Sequence, residues 1–297
     1  MKFEGTAVAM ITPFLSDMKI DKEGFRENIN FYIENGVEGL VVCGTTGESA
    51  TLTHDEHREL IEIFVDEVNG RVTTIAGAGS NSTIEAIDLV KFCGDVGTDQ
   101  ALVITPYYNK PQQHGLIEHY HALNDVSDID IIAYNVPSRT GLDIASETIV
   151  ELAKLDKITA LKEANPSLDK ANDTICLLKE NDLYDDINIL SGNDGLTLPL
   201  ISIGAKGVIS ASANVDPKRM VDMVHLAMEG KYDEARDIHY QMLPLINALF
   251  METSPAPTKA AYHLMGKPSG DLRPPLAPIK EDTKKVLEDI LKKDGFI

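Results

Sequence analysis

The amino-acid sequence predicts an α/β fold: a (β/α)8 TIM barrel with a C-terminal helical extension. Eight short apolar runs recur with successive starts about thirty residues apart, the length of a strand, a helix and two loops. The segments between them carry helical spacing of apolar residues. The runs are continuously apolar rather than alternating, which suits parallel strands covered by helices. Eight consecutive units favour a closed barrel over a doubly wound sheet.

The expected strands are Thr6–Thr12, Gly39–Cys43, Val72–Ala76, Ala101–Thr105, Asp130–Tyr134, Ile158–Lys162, Ile187–Leu190 and Gly207–Ser210. In the expected helix Glu56–Val68, residues Leu60, Ile61, Phe64, Val65 and Val68 keep one face. Thr53-x-x-Glu56 and Ser82-x-x-Glu85 read as capping boxes opening the second and third helices. Asp216-Pro217 supplies a side-chain acceptor followed by proline at a first helical position. The eighth unit closes near residue 228, so residues 1–228 are expected to form the barrel and 229–297 a helical region packed on it. Two apolar faces mark that region: Leu243, Ile246, Leu249 and Phe250, then Val286, Leu287, Ile290 and Leu291.

A chain of 297 residues that is 43% hydrophobic and 25% charged buries a sizeable core. No stretch approaches the roughly 18–20 apolar residues of a membrane span. The N-terminal residues Met1 to Gly5 show no signal-peptide apolar region, so a cytoplasmic protein is expected. The charge balance is 27 basic against 47 acidic residues, a net of −20. Such a surface repels nucleic acid and anionic lipid, and a site for an anionic substrate must carry its own positive groups. Cys43, Cys93 and Cys176 are scattered and odd in number, giving neither a disulfide framework nor a CxxC site. Cys43 ends an apolar run and reads as buried filler.

The unusual residues cluster where strands finish. They are Gly44-Thr45-Thr46-Gly47-Glu48-Ser49, Thr105-Pro106-Tyr107-Tyr108-Asn109, Tyr134 through Thr140, Ala160-Leu161-Lys162-Glu163, and Ser191-Gly192-Asn193-Asp194. In a (β/α)8 barrel those ends share the face that holds active sites. Lys162 is the candidate centre. An ordinary lysine is neutral in only about one part in a thousand near neutral pH. Burial beside Arg139 would lower its pKa and raise the share of neutral amine able to attack a ketone. The resulting protonated Schiff base is an electron sink for deprotonating the adjacent carbon. From the strand alone, an ordinary ion pair of Lys162 with Glu163 remains open, although neighbouring strand residues point to opposite faces.

Tyr134 and Tyr108 suit proton transfer when a phenol is hydrogen-bonded to a threonine hydroxyl. Either ring taken singly also fits rim packing. Arg139 has the fork geometry to hold a carboxylate, or is a plain surface arginine. Two other motifs fail. Gly77-Ala78-Gly79-Ser80-Asn81-Ser82 lacks the glycine of a dinucleotide loop at its sixth position, so no nucleotide cofactor is expected. His54-Asp55-Glu56-His57 is not the zinc signature, and no acidic or histidine cluster ends the strands, so no metal is expected.

With these residues laid out, the chain resembles the dihydrodipicolinate synthase family over almost its whole length. The motifs are Gly44 to Ser49, Thr105 to Asn109, Tyr134 to Thr140, Leu161-Lys162-Glu163-Ala164, Leu190-Ser191-Gly192 and Gly207 to Ser210. The resemblance implies a Schiff-base lyase, class I aldolase-like, condensing pyruvate with L-aspartate 4-semialdehyde at the entry to diaminopimelate and lysine biosynthesis. It makes Lys162 the Schiff-base residue, Tyr134 the proton donor and acceptor, and Thr45 with Tyr108 the rest of a relay. It gives Thr46 and the backbone of Ile209 to the pyruvate carboxylate and Arg139 to the semialdehyde. It implies a homotetramer, a dimer of dimers in which the second tyrosine of the pair reaches a neighbour's site, and no cofactor. An L-lysine inhibitory site is implied at Ser49, Ala50, His54, His57, Asn81, Glu85 and Tyr107, although Glu85 also fits a capping box. Related pyruvate-dependent lyases, such as N-acetylneuraminate lyase or 2-keto-3-deoxy-sugar-acid aldolase, resemble the chain in fold and Schiff-base lysine, and Ser138-Arg139-Thr140 speaks for the synthase. A catalytically dead barrel would be expected to lack Thr45, Tyr134 or Lys162, and all are present.

Overall fold

The computed structural model describes residues 2–297. Eight parallel strands form a closed barrel in sequence order, β1 (Gly5–Ala9), β2 (Gly39–Val42), β3 (Thr73–Gly77), β4 (Gln100–Ile104), β5 (Asp130–Asn135), β6 (Ile158–Glu163), β7 (Asn188–Ser191) and β8 (Gly207–Ser210). β8 closes on β1 with Gly5 opposite Gly207 and Ala7 opposite Ile209. The helices between strands are α1 (Lys22–Glu34), α2 (His54–Val68), α3 (Thr83–Val96), α4 (Gln113–Asn124), α5 (Pro137–Thr140), α6 (Ser146–Ala153), α7 (Leu168–Glu180) and α8 (Thr197–Ser202). After β8 come α9 (Pro217–Met228), α10 (Tyr232–Ala248), α11 (Ala256–Leu264) and α12 (Glu281–Lys293).

Both faces of the strands are buried, which explains their unbroken apolar runs. Val41, Ile75, Leu102, Ile132, Ala160, Leu190 and Ile209 fill the barrel interior. Their strand neighbours, such as Leu40, Ala76, Val103, Ile131, Leu161 and Val208, belong to the layer shared with the helices. A third cluster joins the late helices, with Leu245, Ala248 and Leu249 against Ala261, Leu287 and Leu291. α10 packs on α9, α8 and α12, and α12 packs on α11.

Local chemistry keeps every expected strand, most within a residue at each end, and departs from the pattern more clearly at a few places. Thr53 and Glu56 form the expected capping box, and helix α2 therefore starts at His54 rather than Glu56. Asp216 accepts from the Arg219 amide with Pro217 in the first turn. β1 is shorter than Thr6–Thr12, because the ladder ends at Ala9 and the Met10 amide makes a last bond to the Val41 carbonyl. The second box does not form: Ser82 makes no side-chain cap, and Glu85 instead accepts from the Ser80 hydroxyl. Ser80 also takes the Ser82 amide, at 3.1 Å, so it occupies both partners of the expected box. In the late helices Leu249 is buried but Phe250, beyond the end of α10, is half exposed, as is much of Val286.

The turn out of β2 is tight. Cys43 is buried, as expected, but adopts φ +52°, a left-handed conformation uncommon outside glycine and asparagine. Gly77, at the end of β3, makes room for that turn: a Cβ there would lie 2.0 Å from the Cys43 carbonyl oxygen.

Candidate active site

The C-terminal ends of the strands surround a cavity of about 390 Å³ whose walls include Thr45, Tyr134, Arg139 and Ser254. Tyr134 on β5 and Lys162 on β6 occupy the same rung of the sheet. Their side chains therefore enter the interior side by side, and Lys162 Nζ lies 4.2 Å from the centroid of the Tyr134 ring. Lys162 is buried, and its amine makes no hydrogen bond or ion pair with another described residue. Burial lowers its pKa to about 8, with Asp194 opposing and Arg139 reinforcing the shift. That is the direction a nucleophilic amine needs.

Tyr134 is buried too, and burial pushes its phenol up to about 12, while Arg139 and a hydrogen bond from Thr45 work the other way. The phenol is thus a held proton donor at neutral pH, with Thr45 as its contact toward the β2 loop. Thr46 is buried beside Thr45, and Ile209 lies in the interior layer on β8. Arg139 sits on the short helix α5, where its Nη2 donates to the Ser254 carbonyl at 3.1 Å. The structure thus brings together Thr45, Tyr134, Arg139 and Lys162. It does not bring Tyr108 to them: Tyr108 adopts φ +74° and is 89% exposed.

Lys162 does not pair with Glu163. Glu163 faces the outer layer one rung further on, opposite Asn135, and is also buried. It accepts from Asn135 Nδ2 at 2.9 and 3.0 Å and from the Asn165 amide at 2.6 Å, and its cationic neighbour is Lys170 at 3.5 Å. Burial pushes the Glu163 carboxyl up, against the opposing charge of Lys170. Asp143 joins this network through Asn135, Asn165 and Lys170. The network clamps the ends of β5 and β6 immediately behind Tyr134 and Lys162.

Of the residues expected to hold L-lysine, Ser49, Ala50, His54, His57, Glu85 and Tyr107 line the same cavity. Asn81 does not line it, and its carbonyl accepts from Asn109 at 2.8 Å. His54 approaches Glu85 at 3.4 Å. His57 is tied to the Gly77 carbonyl at 2.7 Å, and burial lowers its pKa. The cavity is continuous from this group to Tyr134 and Arg139.

Two site residues carry no role in the sequence reading. Asp194, just after β7, is buried and takes the Ser212 amide and hydroxyl at 2.7 and 2.6 Å on one oxygen. It is the acidic group felt electrostatically by both Lys162 and Tyr134. A carboxylate at a strand end was visible in Ser191 to Asp194, but nothing in the pattern said that it faced the lysine. Glu48, within the Thr45–Thr46 loop, is fully buried against Lys259. Among the described residues no group of three or more histidine, cysteine or acidic side chains is placed to hold a metal ion, and no helix is long and apolar enough to cross a membrane.

Known proteins match the chain over almost its whole length. The model of the dihydrodipicolinate synthetase family matches residues 2–294. A protein of Methanosphaera stadtmanae named 4-hydroxy-tetrahydrodipicolinate synthase is 56% identical over 297 residues, covering 100% of both chains. The chloride-inhibited dihydrodipicolinate synthase from Acinetobacter baumannii, solved in complex with pyruvate, is 38% identical with a TM-score of 0.94 over 99% of each chain. The enzyme from Cyanidioschyzon merolae, solved with lysine bound, is 37% identical with a TM-score of 0.94, again over 99% of each chain. The chain belongs to the dihydrodipicolinate synthetase family.

Proposed function

We propose that this lyase condenses pyruvate with L-aspartate 4-semialdehyde, the 4-hydroxy-tetrahydrodipicolinate synthase reaction, through a Schiff base on Lys162. The observation that carries the residue assignment is the buried, unpaired Lys162 amine against the Tyr134 ring, with its pKa lowered to about 8. The neutral amine attacks the keto carbon of pyruvate, and the carbonyl oxygen takes one proton from the attacking nitrogen and a second through Tyr134 before leaving as water. The protonated imine withdraws electrons from the adjacent methyl, which loses a proton to give the enamine. The enamine carbon then attacks the aldehyde carbon of the second substrate, whose oxygen is protonated, and that substrate's amino group displaces Lys162 from the imine carbon, closing the ring and freeing the lysine amine. Tyr134 gives and takes these protons, a role supported by its held proton and its link to Thr45.

Thr46 and the Ile209 backbone are assigned to the pyruvate carboxylate, and Arg139 to the semialdehyde carboxylate. Arg139 is exposed at the cavity wall while Lys162 is buried beside Tyr134, which supports that division. Tyr108 belongs to the relay of a neighbouring subunit in a homotetramer. Its exposed ring, with Ile84 82% exposed on the adjoining helix α3, supports a covered face in the assembly. L-lysine is proposed as an inhibitor bound at the Glu85 end of the cavity. A cytoplasmic location follows from the soluble metabolites it uses.

Borohydride reduction in the presence of pyruvate, followed by peptide mass spectrometry, tests the centre of this reading. The expected result is one adduct, on Lys162. An adduct on another lysine, or none, removes the assignment.

A further inference from the structure

We infer that the buried ion pair between Glu48 and Lys259 is a positioning device for the reaction, fixing the Thr45–Thr46 loop by tying it to the C-terminal segment. The inference rests on reading Thr45 and Thr46 as groups that handle pyruvate. The loop needs such an anchor. It begins at Cys43 and contains Glu48, and both adopt left-handed conformations, with φ +52° and +56°. Side-chain-bearing residues hold such conformations only where surrounding contacts over-determine them.

The contacts around Glu48 do so. The loop closes on itself, with the Gly47 amide bonded to the Gly44 carbonyl and the Glu48 amide to the Thr45 carbonyl, each at 3.1 Å. Thr12 from the β1 loop donates to the Gly47 carbonyl at 2.7 Å. Glu48 then turns its side chain away from the loop. Its Oε1 accepts from Lys259 Nζ at 2.8 Å, and its Oε2 from the Arg273 amide at 3.1 Å. Lys259, on α11, gives a second hydrogen bond to the Asp271 carbonyl at 2.6 Å and lies 4.4 Å from the centre of the Phe14 ring. Both charged groups are essentially without solvent contact, 2% exposed for the Lys259 side chain and 0% for Glu48. A buried pair adds little net stability over apolar residues of the same size, but it admits one direction of approach. Here that direction sets where Thr45 and Thr46 stand relative to Lys162.

The test compares Glu48→Gln, Lys259→Met and the double variant Glu48→Gln/Lys259→Met with the wild type. Thermal unfolding, steady-state kinetics for each substrate and the borohydride trapping rate are measured for each. A displaced loop should lower kcat/KM for pyruvate and slow trapping about 10- to 100-fold, with KM for the aldehyde substrate changed by less than about twofold. The double variant, which leaves no unpaired buried charge, should regain thermal stability over the single variants while keeping the kinetic defect. It carries the same reading if a single variant does not fold. Kinetics within about twofold of wild type in folded variants, or kinetics that recover together with stability, overturn the inference. Failure of wild-type protein to form the Lys162 adduct instead removes the catalytic reading, so the two failures are distinguishable.

Discussion

Two lysines are buried at the strand-end side of this barrel, and they are treated in opposite ways. Lys259 is saturated: Glu48, a backbone carbonyl and an aromatic face surround its ammonium. Lys162 has the Tyr134 ring and no hydrogen-bonding partner among the described residues. Burial lowers the pKa of both, but at Lys259 Glu48 resists through both charge and a hydrogen bond. At Lys162 only the charge of Asp194 resists, Arg139 adds to the fall, and the value reaches about 8. Burial by itself therefore does not make a nucleophile. Withholding a directly bonded carboxylate does.

Replacing each lysine by methionine should separate these roles. Lys162→Met should abolish Schiff-base trapping and lower kcat by at least about 1,000-fold, because the covalent route is gone. It should also stabilise the fold. The unfolded lysine, with its ordinary pKa of 10.5, binds its proton more tightly than the folded one, so the penalty is fully present below about pH 8. From that shift the gain at neutral pH is about 2–4 kcal/mol, vanishing as pH rises past the unfolded value. Lys259→Met should destabilise by about 3–5 kcal/mol, because it strands the Glu48 carboxylate without solvent. Urea unfolding of the two variants at neutral pH is the measurement, and shifts of the same sign would dissolve the contrast.

Arg139→Ala extends the comparison to a cation at the cavity wall. Losing a charge-assisted pair should cost about 1.5–3 kcal/mol, or roughly 10- to 150-fold in kcat/KM for the semialdehyde. Trapping of pyruvate on Lys162 should persist. An equal fall for both substrates would show that Arg139 serves the site as a whole.

If L-lysine binds as proposed, it brings a cation to the Glu85 end of the same cavity, where the carboxylate is shared with Ser80 and close to His54. Titration calorimetry should show binding in the wild type, weakened about tenfold or more by Glu85→Ala. No heat at millimolar lysine, or binding unchanged by that substitution, removes the inhibitory site and leaves the Lys162 chemistry intact.

The barrel was legible because its signal is local and repeated: each strand writes an apolar run, and each helix writes a face. Lys162, Tyr134, Thr45 and Arg139 stood out by position, since each ends or follows such a run, but their roles were assigned only with the family resemblance. What escaped the sequence depends on competition or on distance along the chain. Ser82 and Glu85 have the spacing of a capping box, but Ser80 reaches both partners first. Glu48 and Lys259 stand 211 positions apart, and no periodicity links a loop after β2 to a helix after the barrel. Tyr108 was assigned to the relay, yet in a single chain it faces outward. Its assignment depends on a neighbouring subunit that one sequence does not describe.

The smallest expected effect is the most specific to the unpaired lysine. If the neutral Lys162 amine attacks pyruvate, kcat/KM for pyruvate should rise about tenfold per pH unit at low pH and level off near the free-enzyme pKa of about 8. Tyr134, held up to about 12, keeps its proton across that range and should add no second limb below it. Asp194 opposes the fall at Lys162, so Asp194→Asn should move the limb to lower pH while lowering the plateau, because the protonated imine loses its nearby negative charge. Lys259, bonded to its carboxylate and outside the reaction, should contribute nothing to the profile. Initial rates from about pH 6 to pH 10, measured for both proteins, decide it. A limb that stays in place in Asp194→Asn would mean that burial and Arg139 alone set the nucleophile, with Asp194 serving only to hold Ser212.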